Sequence, residues 1–254
     1  MPPVNRPLGG LRATASLALA ASLIPLWLRE RGGSAKARQY EVRFFARLLK
    51  GFGVVPTCTG EYSPLPGTLF VTNHISWIDI PLLASALDAD FVAKADILRW
   101  PIIGGLARKL NPVFVARDCR RSAHAQADAI RQRLLAGRSV ILCAEGTTSV
   151  GETVLPFKSC LFEAADAASA IQPLAIRYCA IDGGALPPKR MREVAWIDDD
   201  DLLTGALRVA REHTVAQVTF LPPIGTIPNR KILARATWGL VEAAYRSVST
   251  KSPD

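Results

Sequence analysis

The stretch Thr68-Leu-Phe-Val-Thr-Asn-His-Ile-Ser-Trp-Ile-Asp-Ile-Pro-Leu-Leu83 decides how the chain is read. It opens as an apolar, partly β-branched run that suits a strand covered on both faces. The run breaks at Asn73 and His74, and a helix follows, its start marked by Asp79 just before Pro81. His74 and Asp79 stand five positions apart. On one continuous helix that spacing would set them roughly 140° apart, so a shared site requires the turn between strand and helix, and the sequence supplies it. An imidazole at the mouth of an α/β sheet can remove a proton from a hydroxyl near neutral pH. A carboxylate on its other nitrogen fixes tautomer and orientation. Asp followed closely by Pro is equally a good helix N-cap, and a satisfied buried histidine is common, so the pair alone leaves both readings open.

Outward from this stretch, short β-type runs alternate with helical ones, the rhythm of an α/β fold with a mixed, mostly parallel sheet flanked by helices. The pattern predicts strands at Val54–Thr59, Thr68–Thr72, Asp90–Val92, Val113–Ala116, Val140–Cys143, Gln172–Tyr178 and Gln217–Leu221. It predicts helices at Pro81–Leu87, Ile103–Lys109, Arg121–Leu135, Leu161–Ala168 and Ile232–Tyr245, the many arginines of the third reading as a solvated face.

A second constellation lies in Ser139–Ser159, SVILCAEGTTSVGETVLPFKS. Glu145, Gly146 and Thr147 follow directly on a buried strand, at the edge where open α/β sheets place their ligands. Gly146 lets a backbone come close, Thr147 offers a hydroxyl, and Glu145 can bind an acceptor's hydroxyls or hold the turn. Lys158 brings a cation to the same rim, and Arg117, closing the strand Pro112-Val-Phe-Val-Ala-Arg117, is suited to gripping phosphate.

Upstream, Ala13–Leu28 (ATASLALAASLIPLWL) carries no charge and is bracketed by Arg6 and Arg12 before it and by Arg29, Arg31, Lys36 and Arg38 after it. It falls short of the roughly 20 residues an upright span needs, and Pro25 bends it, so a re-entrant insertion competes with a span. Residues 35–51 form an amphipathic, cation-rich helix able to lie among headgroups. The chain thus divides into a membrane anchor, 1–52, and a catalytic domain, 53–254. The basic cluster after the apolar run puts that domain on the cytoplasmic face. Five widely spaced cysteines without a C-x-x-C pair indicate neither a disulfide framework nor a zinc site, and no metal is expected. The net charge of +9 attracts anions, either lipid headgroups or an acidic carrier. Nucleic acid is the weakest candidate, since no recognised motif or aromatic interleaving accompanies the arginines.

These residues resemble the glycerolipid acyltransferases typified by 1-acyl-glycerol-3-phosphate acyltransferases, over roughly Leu69 to Ile176. The N-H-x-x-x-x-D block stands as Asn73 to Asp79, and the F-[IV]-x-R block as Phe114 to Arg117. The F-P-E-G-T-R-S block stands as Cys143 to Ser149, and the V-x-P-x-x-I strand as Ile171 to Ile176. The resemblance implies His74 and Asp79 as catalytic residues and Asn73, Arg117, Glu145, Gly146, Thr147 and Lys158 as substrate-binding residues. It implies direct transfer from acyl-CoA or acyl carrier protein, serving as donor substrate, to a lysolipid hydroxyl at a membrane, with no cofactor. Lysophosphatidate, giving phosphatidic acid, is the first acceptor expected. Thr148 stands where the family has arginine, a pattern like the branch that includes lyso-ornithine-lipid and some lysophosphatidylcholine acyltransferases, and lyso-ornithine lipid is the alternative acceptor. An apolar groove for the acyl chain is expected from Trp77, Ile80, Leu98, Trp100 and Ile103. Two remoter alternatives are a serine hydrolase built on Ser149 and His213 and a membrane-binding module that has lost its chemistry.

Overall fold

The computed structural model describes residues 6–94, 105, 112–115, 120–197, 200–225 and 227–247. Three N-terminal helices, α1 (Arg6–Ala21), α2 (Ile24–Arg29) and α3 (Ala35–Gly51), lead into β1 (Val54–Thr59), β2 (Thr68–Thr72), α4 (Asp79–Ala86), β3 (Asp90–Lys94) and β4 (Val113–Val115). Then follow α5 (Arg120–Leu135), β5 (Val140–Cys143), two 3-10 turns (Ser159–Phe162 and Ala165–Ala167) and β6 (Ala170–Cys179). The chain continues through α6 (Pro188–Val194), α7 (Leu202–Val209), β7 (Thr214–Phe220) and α8 (Arg230–Ser247).

The strands form one seven-stranded sheet in the order β1-β7-β6-β2-β5-β3-β4. Every neighbouring pair is parallel except β6 with β7. This is the mixed, mostly parallel sheet that the alternating rhythm predicts. Strand β2 runs through its centre with every residue buried, as its unbroken apolar run requires. Thr72 pairs with Cys143 of β5 on one side and Leu174 of β6 on the other. The ends of these central strands, and the turns that leave β2 and β5, therefore meet at one edge.

The predicted helix at Leu161–Ala168 is replaced by the two 3-10 turns. Its alanines favour an α-helix, but the buried Phe162, Ala164 and Ala165 must pack while the chain turns at once into β6, and tighter i→i+3 bonding allows that. The short helices α6 and α7 were not expected. Of the predicted helix at Ile103–Lys109 only Gly105 is among the described residues, and the end of the strand at Ala116 lies outside them. The arginines of α5 are more than a solvated face, since Arg133 bonds Asp90 Oδ2 at 2.6 Å and Arg131 bonds Asp166 Oδ1 at 2.9 Å, tying the helix to β3 and to the second 3-10 turn.

Residues Gly10–Arg29 form an apolar stretch of 20 residues with mean hydropathy 1.5, long and apolar enough to cross a membrane, and only 22% of it is buried. Small residues make its inner contacts: Gly51 of α3 comes so close to Ser16 that a Cβ could not be accommodated there. Leu11, Leu17, Leu19, Leu26 and Leu28 face outward.

Candidate active site

The buried strand β2 ends where its ladder would, yet Asn73 prolongs it with its side chain. Its Nδ2 donates to the Ile176 carbonyl at 2.9 Å, and its Oδ1 accepts from the Ile176 N–H at 2.8 Å. Asn73, expected to bind substrate, is instead occupied in fastening the end of β2 to β6.

The next residue, His74, turns outward at the rim with 19% of its side chain exposed, while Asp79 is wholly buried. Asp79 collects four donors. Its Oδ2 accepts from His74 Nδ1 at 2.8 Å, from the Ile75 N–H at 2.8 Å and from the Ser76 N–H at 2.9 Å, and its Oδ1 accepts from the Tyr178 hydroxyl at 2.6 Å. The capping alternative for Asp79 does not describe this geometry, because its carboxylate folds back onto the turn and the N-cap position, Ile78, makes no side-chain cap bond. An acceptor-only carboxylate assigns the proton of the neutral imidazole to Nδ1 and leaves the lone pair on Nε2. Burial pushes the His74 pKa down, but the adjacent Cys143 thiol and the Asp79 carboxylate outweigh it and hold it well above the usual histidine value. The pair thus has the form of a general base oriented by a buried acid.

Glu145 is only 1% exposed. Its Oε1 accepts from the Leu155 N–H at 3.2 Å, and its Oε2 has no hydrogen-bond partner among the described residues. Burial pushes its pKa up to about 8, against the downward pull of the Leu155 N–H. Of the two roles open to it, holding the turn is the one its contacts serve. Gly146 sits at φ +67°, and a Cβ there would stand 3.0 Å from Lys158 Cδ and 3.1 Å from Lys158 Nζ, so the ammonium lies over the glycine. The Gly146 N–H is taken by the Cys143 carbonyl at 3.1 Å, so an oxyanion would have to find other donors. Thr147 is exposed at the rim. The turn is drawn against the base by the Ser149 N–H, which donates to the His74 carbonyl at 3.0 Å.

Arg117 and the groove residues Leu98, Trp100 and Ile103 lie outside the described residues, while Trp77 and Ile80 are half-buried beside the turn. Sequence reasoning missed Tyr178, which it could have reached by alternation: Leu174, Ile176 and Tyr178 share the face that Thr72 and His74 continue. The hydrolase alternative loses its base, because His213 Nε2 is bound by the Arg12 guanidinium, and the Ser149 hydroxyl accepts from the Gly151 N–H.

The family model described as Acyltransferase matches residues 55–177, the span that carries this edge of the sheet. The chain is similar to the lyso-ornithine lipid O-acyltransferase of Brucella abortus, 35% identical over 252 residues and 93% of each chain. A lyso-ornithine lipid O-acyltransferase of Rhizobium meliloti is 38% identical over 80% of this chain and 72% of its own. The 1-acyl-sn-glycerol-3-phosphate acyltransferase of Neisseria gonorrhoeae is 35% identical over 44% of each. The crystal structure of the 1-acyl-sn-glycerophosphate acyltransferase PlsC from Thermotoga maritima has the same fold, with a TM-score of 0.68 over 98% of this chain and 100% of that one at 19% identity. Near-full-length kinship with one acyltransferase, and a family model lying on the strands that meet at His74, place this chain in the acyltransferase family, as an acyltransferase of lysolipids.

Proposed function

We propose that this chain is a membrane-bound O-acyltransferase whose acceptor is lyso-ornithine lipid and whose donor is an acyl thioester, acyl-CoA or acyl carrier protein. The acceptor rests on one observation above the rest: the similarity to a lyso-ornithine lipid O-acyltransferase runs over 93% of both chains. The lysophosphatidate reading is favoured by the Lys158 ammonium over Gly146 and by the shorter match to the Neisseria enzyme.

In the proposed reaction the acceptor hydroxyl attacks the thioester carbonyl while His74 Nε2 takes its proton. Asp79 stabilises the imidazolium that results. Collapse of the tetrahedral intermediate breaks the C–S bond, and the departing thiolate recovers the proton from His74. The base acts directly on the acceptor, so no covalent acyl-enzyme is formed. Residues 1–52 serve as the anchor and set the rim of the sheet against the cytoplasmic leaflet, where anionic headgroups meet the basic surface.

The test offers labelled acyl-CoA and acyl carrier protein to membranes containing the chain, with lyso-ornithine lipid, lysophosphatidate and lysophosphatidylcholine as parallel acceptors. The expected product is labelled ornithine lipid. Labelled phosphatidate alone would transfer the assignment to the second reading, and no labelled product from any acceptor would remove both.

A further inference from the structure

Among the described residues two arginines are buried, Arg190 and Arg177, and their guanidinium groups are treated differently. Arg190 is enclosed and spends its guanidinium on the carbonyls of Arg208, Val209 and Glu212, the Thr214 hydroxyl and the Glu193 carboxylate. Arg208 reaches Asp200 at 2.8 Å. Arg177 is 8% exposed, and among the described residues its guanidinium makes no hydrogen bond and no ion pair. Its Nη1 is sealed from solvent without a partner. A buried cation left in this state costs several kcal/mol in general, and such a cost persists where a ligand supplies the missing anion.

The position is as informative as the vacancy. Arg177 lies on β6 between Ile176, whose backbone holds Asn73, and Tyr178, whose hydroxyl holds Asp79. Alternation turns Tyr178 toward the base and Arg177 to the other face of the sheet, and α8 packs against β6. Tyr245 of α8 donates its hydroxyl to the Gly151 carbonyl, at the end of the turn that begins with Glu145. Tyr245 lies in the fields of Arg177 and Glu145 together, so the helix residue that holds the end of the Glu145 turn also faces the guanidinium's charge. Thr148, within the same turn, contributes no charge.

We propose that Arg177 is the anion-recognition group of the acceptor site, its guanidinium paired in the complex with a carboxylate or phosphate of the acceptor headgroup. The inference rests on the lysolipid acyltransferase reading and adds to it the residue that selects the headgroup. A planar guanidinium suits either anion through its fork of donors. Lyso-ornithine lipid, an N-(3-hydroxyacyl)ornithine, offers its free α-carboxylate, whereas lysophosphatidate offers a phosphate.

The experiment compares the full-length wild type with Arg177→Met and Arg177→Lys, in membranes, on lyso-ornithine lipid, its carboxyl methyl ester and lysophosphatidate. Arg177→Met should raise the acceptor KM about 10- to 100-fold on the acceptor whose anion it binds, with the donor KM unchanged. On the methyl ester, which has no carboxylate to lose, it should change nothing. Arg177→Lys should recover part of the affinity. Because a buried unpaired charge is replaced by an apolar chain of similar length, the apparent melting temperature should hold or rise. A selective loss on lyso-ornithine lipid assigns the carboxylate, and one on lysophosphatidate assigns the phosphate; either supports the inference. Equal losses on acid and ester, a changed donor KM, or no loss in an active enzyme would each overturn it while leaving the acyltransferase reading in place. A wild type inert toward every acceptor would remove that reading and the inference together.

Discussion

At the scale of single residues, Asp79 carries the largest share of the site's order. It holds the imidazole, two N–H groups of the turn and the Tyr178 hydroxyl at once. Asp79→Asn keeps the shape and removes the charge, so kcat should fall by about 10²- to 10⁴-fold. The His74 pKa, read from its ring protons by NMR, should drop because burial then acts with less opposition. A kcat within a few-fold of wild type would count against the dyad. Glu145 yields a prediction in pH. Its folded pKa of about 8 lies above its ordinary value of 4.5, so its contribution to stability is complete below that ordinary value and is lost as pH rises through about 8. Asp200 has the opposite sign: burial pushes it up, but Arg192, the Ile197 N–H and Arg208 overcome that and lower it to about 2, so its stabilisation is present above 3.8 and lost as pH falls through about 2. Melting curves between acid and alkaline pH should show Glu145→Gln overtaking wild type on the alkaline side, and an unchanged difference across the range would contradict the assignment.

At the scale of elements, the strands were legible, while their order in the sheet and the shorter helices were not. Strand β2 could be read because it is buried on both faces and writes that into an unbroken apolar run. The 3-10 turns at Ser159–Phe162 and Ala165–Ala167 could not, since alanine composition favours an α-helix and only packing against the sheet overrides it. The short α6 begins at Pro188, and α7 is capped by Asp201, which accepts from the Thr204 N–H at 2.9 Å; each is too brief for periodicity to register. Of the site, His74 and Asp79 were visible as a motif. The engagement of Asn73 with Ile176, the support from Tyr178 and the unpaired state of Arg177 depend on strands distant in sequence, which no local pattern reports. The turn after β5 adds a prediction at this scale. Gly151 holds φ +75°, and a Cβ there would collide with the end of the Met191 side chain. The Met191 methyl can swing aside, but Gly151→Ala still strains the left-handed backbone, so it should destabilise by about 1–2 kcal/mol in denaturant melts. A neutral result would show that the turn is looser than its contacts indicate.

At the scale of the whole molecule, the proposed membrane attachment would draw on two different features. One is the outward leucine face of α1 and α2; the other is the excess of cations that gives the chain its +9 charge. Binding to vesicles containing phosphatidylglycerol should weaken with salt as charge is screened, yet leave a remainder that apolar insertion sustains. In Leu19→Asp/Leu26→Asp that remainder should disappear in a flotation assay at high salt, and its survival would place membrane attachment elsewhere. In the proposed reaction the sheet holds one imidazole where a lipid hydroxyl would meet an acyl thioester. The most direct test is transfer of a labelled acyl group to lyso-ornithine lipid by membranes carrying equal amounts of folded wild type or His74→Ala. Labelled ornithine lipid is expected from the wild type, with a loss of at least about 10²-fold in the variant. Equal transfer by the two proteins would contradict His74 as the base.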